Sequence, residues 1–505
     1  MQTASRSGAL ARPAVRLAVG LAIVVVSFLP RALTLDRGFM IDEALWLERS
    51  DRFVNAVTDA RFGDAYTTGH PGVTTSWIAG IAQRTLPDGA SLRERYARAR
   101  LGMAIANVTL LLLLWLLARP LLGEFAAAAG ALLLSLDPFV LAHTRVLQLD
   151  GLQTLAMTAA FVATLRASRD DDRRMLVVGG VLAGLAFLTR TFAGYLLPVA
   201  AIVLWRDGRG VRRRLAVWIG AAVGVIAALW PLVWVRPWKA ASLLVSGAAR
   251  GAVEDSDAGQ FFLGFHFPAP GPMYYPFAVA LRITIVTSLV GVGAVWYARR
   301  RRDDPDARTA SAFLLYGIGF LGAVSLTLKT ADRYALPAIA ALDLAVAIVL
   351  CRLITEKLRK AMLVPVLSAA LFLHAGPALA LHPYELAHYN WTVGGPIAAQ
   401  RAIPIGRGEG LDEAAADLSR LPNATRLVVA TTRLTGFEEF FAGRTISISE
   451  SSLASPGGDE PDLVLFYISS VQVGRFADVW ARFRDVRPDY ALTINGIPYV
   501  RVYRV

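Results

Sequence analysis

Residues 101–118, LGMAIANVTLLLLLWLLA, run for a full membrane thickness without an ionisable group. A hydrocarbon layer about 30 Å thick is crossed by about 20 apolar helical residues, so this stretch reads as a membrane span. Outward from it the pattern recurs at Leu17–Leu35, Leu121–Leu141, Gly151–Leu165, Met175–Leu188, Phe192–Trp205, Leu215–Val235, Tyr275–Tyr297, Ala310–Leu328, Leu336–Leu350 and Met362–Leu381. About eleven transmembrane helices are therefore expected. The fifth and sixth are short and flank Arg190 in LAFLTRTFAGYLLP, which suggests a tight hairpin.

Composition agrees with lipid as the solvent. Of 505 residues, 55% are hydrophobic and only 18% charged, which is too apolar for an ordinary set of soluble domains. The formal charge of +13 does not describe a nucleic-acid binder, because the arginines punctuate apolar runs instead of lining one polar face. Cys351 is the single cysteine, which excludes an internal disulfide and a cysteine-ligated metal cluster. The first apolar run follows Arg6, Arg12 and Arg16 and has no small-residue cleavage site, so it is expected to remain as a signal anchor.

Lysine and arginine gather in alternate connections: the N-terminus, Arg119, Arg166 to Arg174, Arg206 to Arg214, Arg299 to Arg302 and Arg352 to Lys360. The positive-inside bias makes that side cytoplasmic. The opposite, extracytoplasmic face of the cell (plasma) membrane then receives a long first loop, residues 36–100, the 236–274 loop, the 329–333 turn and the C-terminus. The expected class is mainly α: a polytopic membrane domain, residues 1–381, followed by a small extracytoplasmic α/β domain, residues 382–505. In the latter, RLVVATT, DLVLFYIS and the pair ALTI and YVRVYRV around Asn495-Gly496 read as strands, while DEAAADLSRL and GRFADVWARF read as helices.

Ionisable groups at membrane depth are costly, about 2.5–3.5 kcal/mol at the bilayer centre, so they are paired or functional. Asp42 and Glu43, in GFMIDEALWLERS, follow the first span on an expected interfacial helix. A half-buried carboxylate among Phe39, Met40, Ile41, Leu45 and Trp46 is expected to have a raised pKa and to serve as a base; the plainer reading is an acidic pair that complements a helix N-terminus. His70, in GHPGVTT, lies in the same loop as either a site residue or part of a structural turn. Arg145 and Asp150, in HTRVLQLDGLQT, border the same outer cavity or form a simple ion pair. Arg190, Arg282, Lys329 and Arg333 oppose the charge bias of the loops, and their convergence on one cavity suits a lipid-linked phosphate. Asp137 and Asp343 read as packing or capping carboxylates, and no nucleotide-binding or HExxH signature is present.

The strings DEALW, GHPGVTT, HTRVLQLDGL, LTRTFAGYLLP, KTADRYALPA, HPYELAHYNWTVGG and GRGEGLDEAAADL, in this order, resemble the GT-C glycosyltransferases. The similarity is greatest to the bacterial branch related to protein O-mannosyltransferases and lipid A aminoarabinose transferases. It implies a sugar donor on polyprenyl phosphate, an acceptor hydroxyl on a lipid, glycan or protein, and inversion at the anomeric carbon. It also implies that Asp42 is the catalytic base, with Glu43 and Asp150 as further acidic candidates. Arg145 with Asp150 would lie near the donor and acceptor, and Arg190, Arg282, Lys329 and Arg333 would hold the phosphate. Gly72 after Pro71 departs from the commoner His-Pro-Pro pattern, which leaves the role of His70 open. A divalent cation on Asp42, Glu43 and Asp150 is compatible with oxygen ligation but is not required. The competing classes are a lipid or solute transporter, for which two similar halves and groups near both faces are expected, and an assembly scaffold.

Overall fold

The computed structural model describes residues 13–66, 70–253, 260–267, 270–328, 330–357 and 360–505. Among them, five helices are long and apolar enough to cross a membrane: Pro13–Ala32, Leu92–Leu122, Pro305–Val324, residues 332–356 and Leu363–Leu381. A sixth is added if Glu124–Leu136 and Pro138–Arg145, bent by 67° to one another, count as one span. All eleven expected segments are helical, but several are broken or short, and this is where the expected count departs from the observed one.

The breaks have local causes. Pro138 and Pro231 lack the amide hydrogen that would continue the preceding helix, and each stands in the first turn of a new one. Asp137 fixes the first of these breaks by accepting hydrogen bonds from the amides of Phe139 at 2.9 Å and Val140 at 3.0 Å. Thr284 likewise caps the helix Ile285–Arg300, which divides the expected 275–297 span at Ile283. The helices Arg173–Thr189 and Val211–Leu229 meet at Gly180, where an added Cβ would stand 2.2 Å from the Trp218 carbonyl oxygen, so only glycine allows this approach.

The first loop is mostly helical. Ile41–Thr58 and Val73–Gln83 pack on each other before the chain enters the long helix Leu92–Leu122, whose start is set by a capping box of Ser91 and Glu94. That box lengthens the expected 101–118 span by about two and a half turns. A hairpin not expected from the sequence pairs β1, Gln260–Phe262, with β2, Phe265–Phe267.

In the C-terminal region the strands are β3 Val428–Thr431, β4 Arg444–Ser447, β5 Leu463–Tyr467, β6 Tyr490–Ile494 and β7 Ile497–Arg504. They lie in the order β4-β3-β5-β7-β6, with β3 parallel to β4 and β5, and β7 antiparallel to β5 and β6. Asn495 and Gly496 form the β6–β7 turn, both at positive φ (49° and 77°). β4 is a four-residue edge strand, too short and polar to show alternation in sequence. The apolar core continues from the bundle into one face of this sheet, from Phe139 and Tyr275 to Leu465, Tyr499 and Val500. The sheet is therefore seated on one end of the bundle.

Candidate active site

The helix Ile41–Thr58 brings two adjacent carboxylates into different surroundings. Glu43 is fully buried: one oxygen accepts from the amide of Met40 at 2.9 Å, the other from the amide of Leu147 at 2.8 Å and from Nε of Arg100 at 2.8 Å. Arg100 also donates to the carbonyls of Leu35 (3.0 Å), Arg37 (2.7 Å) and Gly38 (3.1 Å). This pair locks the turn after the first span to the helix Leu92–Leu122, and its donors are spent on protein groups.

Asp42 faces the opposite way, with 36% of its side chain exposed. Its Oδ2 accepts from Nη1 of Arg333 at 2.6 Å. Burial works against its charged form, but Arg333, Arg407 and Arg190 outweigh burial and hold the carboxyl below the ordinary range. The raised pKa expected from its apolar neighbours is thereby overturned. Those neighbours are present, but the guanidiniums come from segments far away in sequence.

Asp150, the first residue of helix Asp150–Asp170, is ion-paired with Arg190 and lies 3.6 Å from Nε of Arg333. Arg190 stacks over the rings of Phe192 and Tyr334, at 4.8 Å and 4.5 Å. Beside them Asp332 accepts from Nε of Arg282 at 2.9 Å and from Nη2 of Arg407 at 2.6 Å. Four guanidiniums, those of Arg190, Arg282, Arg333 and Arg407, thus meet three carboxylates, those of Asp42, Asp150 and Asp332. In these ion pairs among the described residues the guanidiniums outnumber the carboxylates by one; the buried Glu409 beside them accepts from the Arg407 amide and pairs with none of the four guanidiniums. Nε of Arg190 and Nε2 of the nearby buried His143 have no hydrogen-bond partner among the described residues. Such a cluster suits an added anion.

The structure separates the expected basic groups. Arg333, part-exposed, pairs with Asp42, and Arg190, buried, reaches the same cluster through Asp150. Arg282 is buried between the rings of Phe139 and Tyr389 and donates to the carbonyls of Leu386 and His388 as well as to Asp332. Arg145 is also enclosed, by the carbonyls of Pro383 (2.7 Å) and Thr34 (3.1 Å) and by Glu385 (3.4 Å). Both arginines tie the segment after the last span to the bundle. Lys329 lies outside the described residues. His70 sits in the turn entering helix Val73–Gln83, where the Gly72 amide donates to the Thr189 carbonyl at 3.2 Å, one residue from Arg190.

Arg407 and Asp332 were not expected in the cluster, although Asp332 directly precedes Arg333. Arg407 is delivered by a loop that only glycine allows. Gly408 has φ of 115°, and a Cβ there would stand 3.0 Å from the amide nitrogen of Ile41. The Arg407 carbonyl accepts from that amide at 2.9 Å, and the Gly408 amide donates to Oη of Tyr467, at the end of β5, at 2.7 Å. The sheet thereby fixes both Arg407 and the first turn of the helix carrying Asp42.

Asp42, Glu43 and Asp150, named as ligands for a divalent cation, are each paired with a different guanidinium or share Arg333. Among the described residues, the three metal-ligating side chains whose ligand atoms lie within 4.8 Å of one another are Asp137, Asp343 and His374, buried in the bundle.

The sequence profile of the family described as dolichyl-phosphate-mannose-protein mannosyltransferase matches residues 90–234. Comparison with curated protein sequences finds no match. Among solved structures, ArnT from Cupriavidus metallidurans bound to undecaprenyl phosphate is 14% identical, with a TM-score of 0.54 over 98% of each chain. The same protein in its apo state is 15% identical, with a TM-score of 0.55 over 96% of this chain and 97% of that one. An oligosaccharyltransferase of Archaeoglobus fulgidus, in its apo form, is 14% identical over 87% of this chain and 65% of its own, with a TM-score of 0.47. With its apolar spanning helices and its sheet seated on one end of them, the chain is a multi-pass membrane protein with the GT-C fold.

Proposed function

We propose that the protein transfers a sugar from a polyprenyl-phosphate donor to an acceptor hydroxyl at the extracytoplasmic face of the plasma membrane, with inversion at the anomeric carbon. The observation that carries this reading is the open Asp42 carboxylate hydrogen-bonded to Arg333 at the edge of a cluster in which four guanidiniums share three carboxylates. The undecaprenyl phosphate bound to the ArnT of the same fold supports a lipid phosphate as the leaving group. The arginine-rich ends of the bundle lie away from this cluster, around the Arg214–Asp207 and Arg352–Asp304 pairs, which supports an N-terminus on the cytoplasmic side and the sheet outside.

In the proposed reaction the donor phosphate takes hydrogen bonds from Arg333 and Arg190. Sharing Arg333 with a phosphate weakens its hold on Asp42, so the carboxylate regains basicity when donor is bound. Asp42 then accepts the proton of the acceptor hydroxyl as its oxygen attacks the anomeric carbon. The sugar–phosphate bond breaks, and the leaving charge is neutralised by the guanidiniums. Glu43, Arg100, Arg145, Glu385 and Arg282 act by positioning.

Incubating the purified protein with a panel of polyprenyl-phosphate sugars, and measuring release of free polyprenyl phosphate by mass spectrometry, tests the reading. Release from at least one donor, dependent on an added hydroxyl acceptor, is expected. No release across hexosyl and pentosyl donors, with donor binding demonstrated, would replace transfer by transport or lipid binding.

A further inference from the structure

The carboxyl ends of the parallel strands β3 and β4, with the segment after the short helix Ile468–Gln472 that follows β5, line an open cavity of about 370 Å³. In an open α/β sheet this is the end at which ligands bind, at the point where the strand order reverses. Here β3 connects outward to β4 on one side, and the chain then returns to β5 on the other. The cavity is lined by Thr431, Thr432, Arg433, Ser447, Arg475 and Phe476, among others. Its size is at the lower end of ligand-binding pockets, about 300–1,000 Å³.

The polar groups of this lining are unequally spent. Oγ1 of Thr431 accepts from the Arg433 amide at 3.0 Å, and Oγ1 of Thr432 accepts from the Tyr467 amide at 2.9 Å; these bonds shape the turn. Arg433 gives only Nη2, to Oγ of Ser469 at 3.2 Å, and its buried Nε has no partner among the described residues. Neither Arg433 nor Arg475 has a carboxylate within ion-pair distance among those residues, and the two like charges act on each other. Two guanidiniums that line one cavity with no carboxylate at ion-pair distance among the described residues present donors that an anion satisfies. Asp42 and Arg407 also act electrostatically on Arg433, so this wall of the cavity is within charge reach of the open carboxylate.

We infer that this cavity binds an anionic substituent of the acceptor, a phosphate or a carboxylate, between Arg433 and Arg475. The assignment to the acceptor rests on the transfer reaction proposed above; the anion site itself does not. In an inverting displacement the leaving phosphate and the attacking hydroxyl occupy opposite sides of the anomeric carbon. Arg333 and Arg190 serve the first, which leaves the basic group on the sheet for the second.

The test uses full-length protein in detergent micelles at constant ionic strength. Thermal unfolding is followed by tryptophan fluorescence while inorganic phosphate is titrated, with a short-chain polyprenyl phosphate held at saturation to fill the donor position. Phosphate is expected to raise the unfolding temperature further. Arg475→Gln, a change at an exposed residue, is expected to need about tenfold more phosphate for the same shift, the loss of roughly one charge-assisted hydrogen bond. Arg433→Gln should do the same, and Arg487→Gln, at a remote exposed position, should match the parent. Absence of a phosphate response, or an unchanged response in Arg475→Gln, overturns the site. A response abolished by the polyprenyl phosphate, or weakened polyprenyl phosphate binding in Arg475→Gln, makes the cavity part of the donor site and overturns the assignment to the acceptor. An Arg475-dependent phosphate response in a protein that transfers no sugar also overturns that assignment while leaving the anion site standing, so failure of the reaction and failure of the site are distinguishable.

Discussion

Asp42 and Glu43 are neighbours on one helix, each paired with an arginine, yet one pair is closed and the other open. The Glu43–Arg100 pair has no exposed side-chain surface, and its donors and acceptors are spent on backbone groups of residues 35–40 and 147. The Asp42–Arg333 pair exposes 36% of the aspartate and 17% of the arginine. A closed pair cannot exchange partners without opening the fold, whereas an open one can trade a carboxylate for a phosphate at little structural cost. The same chemical pair is a fastener in one place and, in the reaction proposed above, exchangeable machinery in the other.

The largest way to break this comparison is at Asp42. Asp42→Asn keeps the volume and removes the basicity, so turnover should fall by about two to four orders of magnitude with donor binding retained and the stability lowered by no more than about 1 kcal/mol, the contribution of a part-exposed ion pair. Turnover near that of the parent would move the base elsewhere, with Asp150 next in line.

Glu43→Gln should give the converse. It leaves Arg100 buried and uncompensated, and the expected loss is about 3–5 kcal/mol of stability, read by denaturant or thermal unfolding in detergent. Whatever fraction stays folded should turn over donor at close to the parent rate per molecule. A stable Glu43→Gln protein with abolished turnover would make the closed pair part of the chemistry.

The smallest effect is in the pH profile, and it sharpens the comparison. Asp42 in the free protein is held below the ordinary carboxylate range, about 3.9, so it is already ionised above that pH and the acid limb of kcat/KM should lie lower still. When donor phosphate shares Arg333, the carboxylate loses part of that hold and its pKa rises, so the acid limb of kcat should lie at higher pH than that of kcat/KM. The stability that this pairing contributes is present above about 3.9 and is lost as pH falls through the depressed value. Coincident limbs would mean that donor binding leaves Arg333 on Asp42.

The legible part of the site follows from covalent neighbourhood. Asp42 is delivered to the end of the first span by chain connection alone, Asp150 begins a helix, Arg190 precedes a helical turn, and Arg333 lies in the turn that leads into the helix Leu336–Lys357. Arg282 opposed the charge bias as well, and Arg145 was read as bordering the outer cavity, but neither sign can tell a guanidinium that meets a ligand from one that meets Asp332, Glu385 or a backbone carbonyl. That distinction depends on partners 50 to 240 residues away.

What the sequence determined by itself is what short-range chemistry controls. Apolar runs set the helices, Pro138 and Pro231 set breaks within them, and alternation with an Asn-Gly turn set the C-terminal β6–β7 hairpin. What only the tertiary structure decided is charge compensation. Arg407, on a loop pinned by Tyr467 of β5, and Arg333, beside the helix Leu336–Lys357, converge on a carboxylate near the start of the chain and lower a pKa that its local neighbours would raise. The Coulomb energy between ionised groups depends on their distance in space and on the dielectric between them, and neither is recorded in their order along the chain.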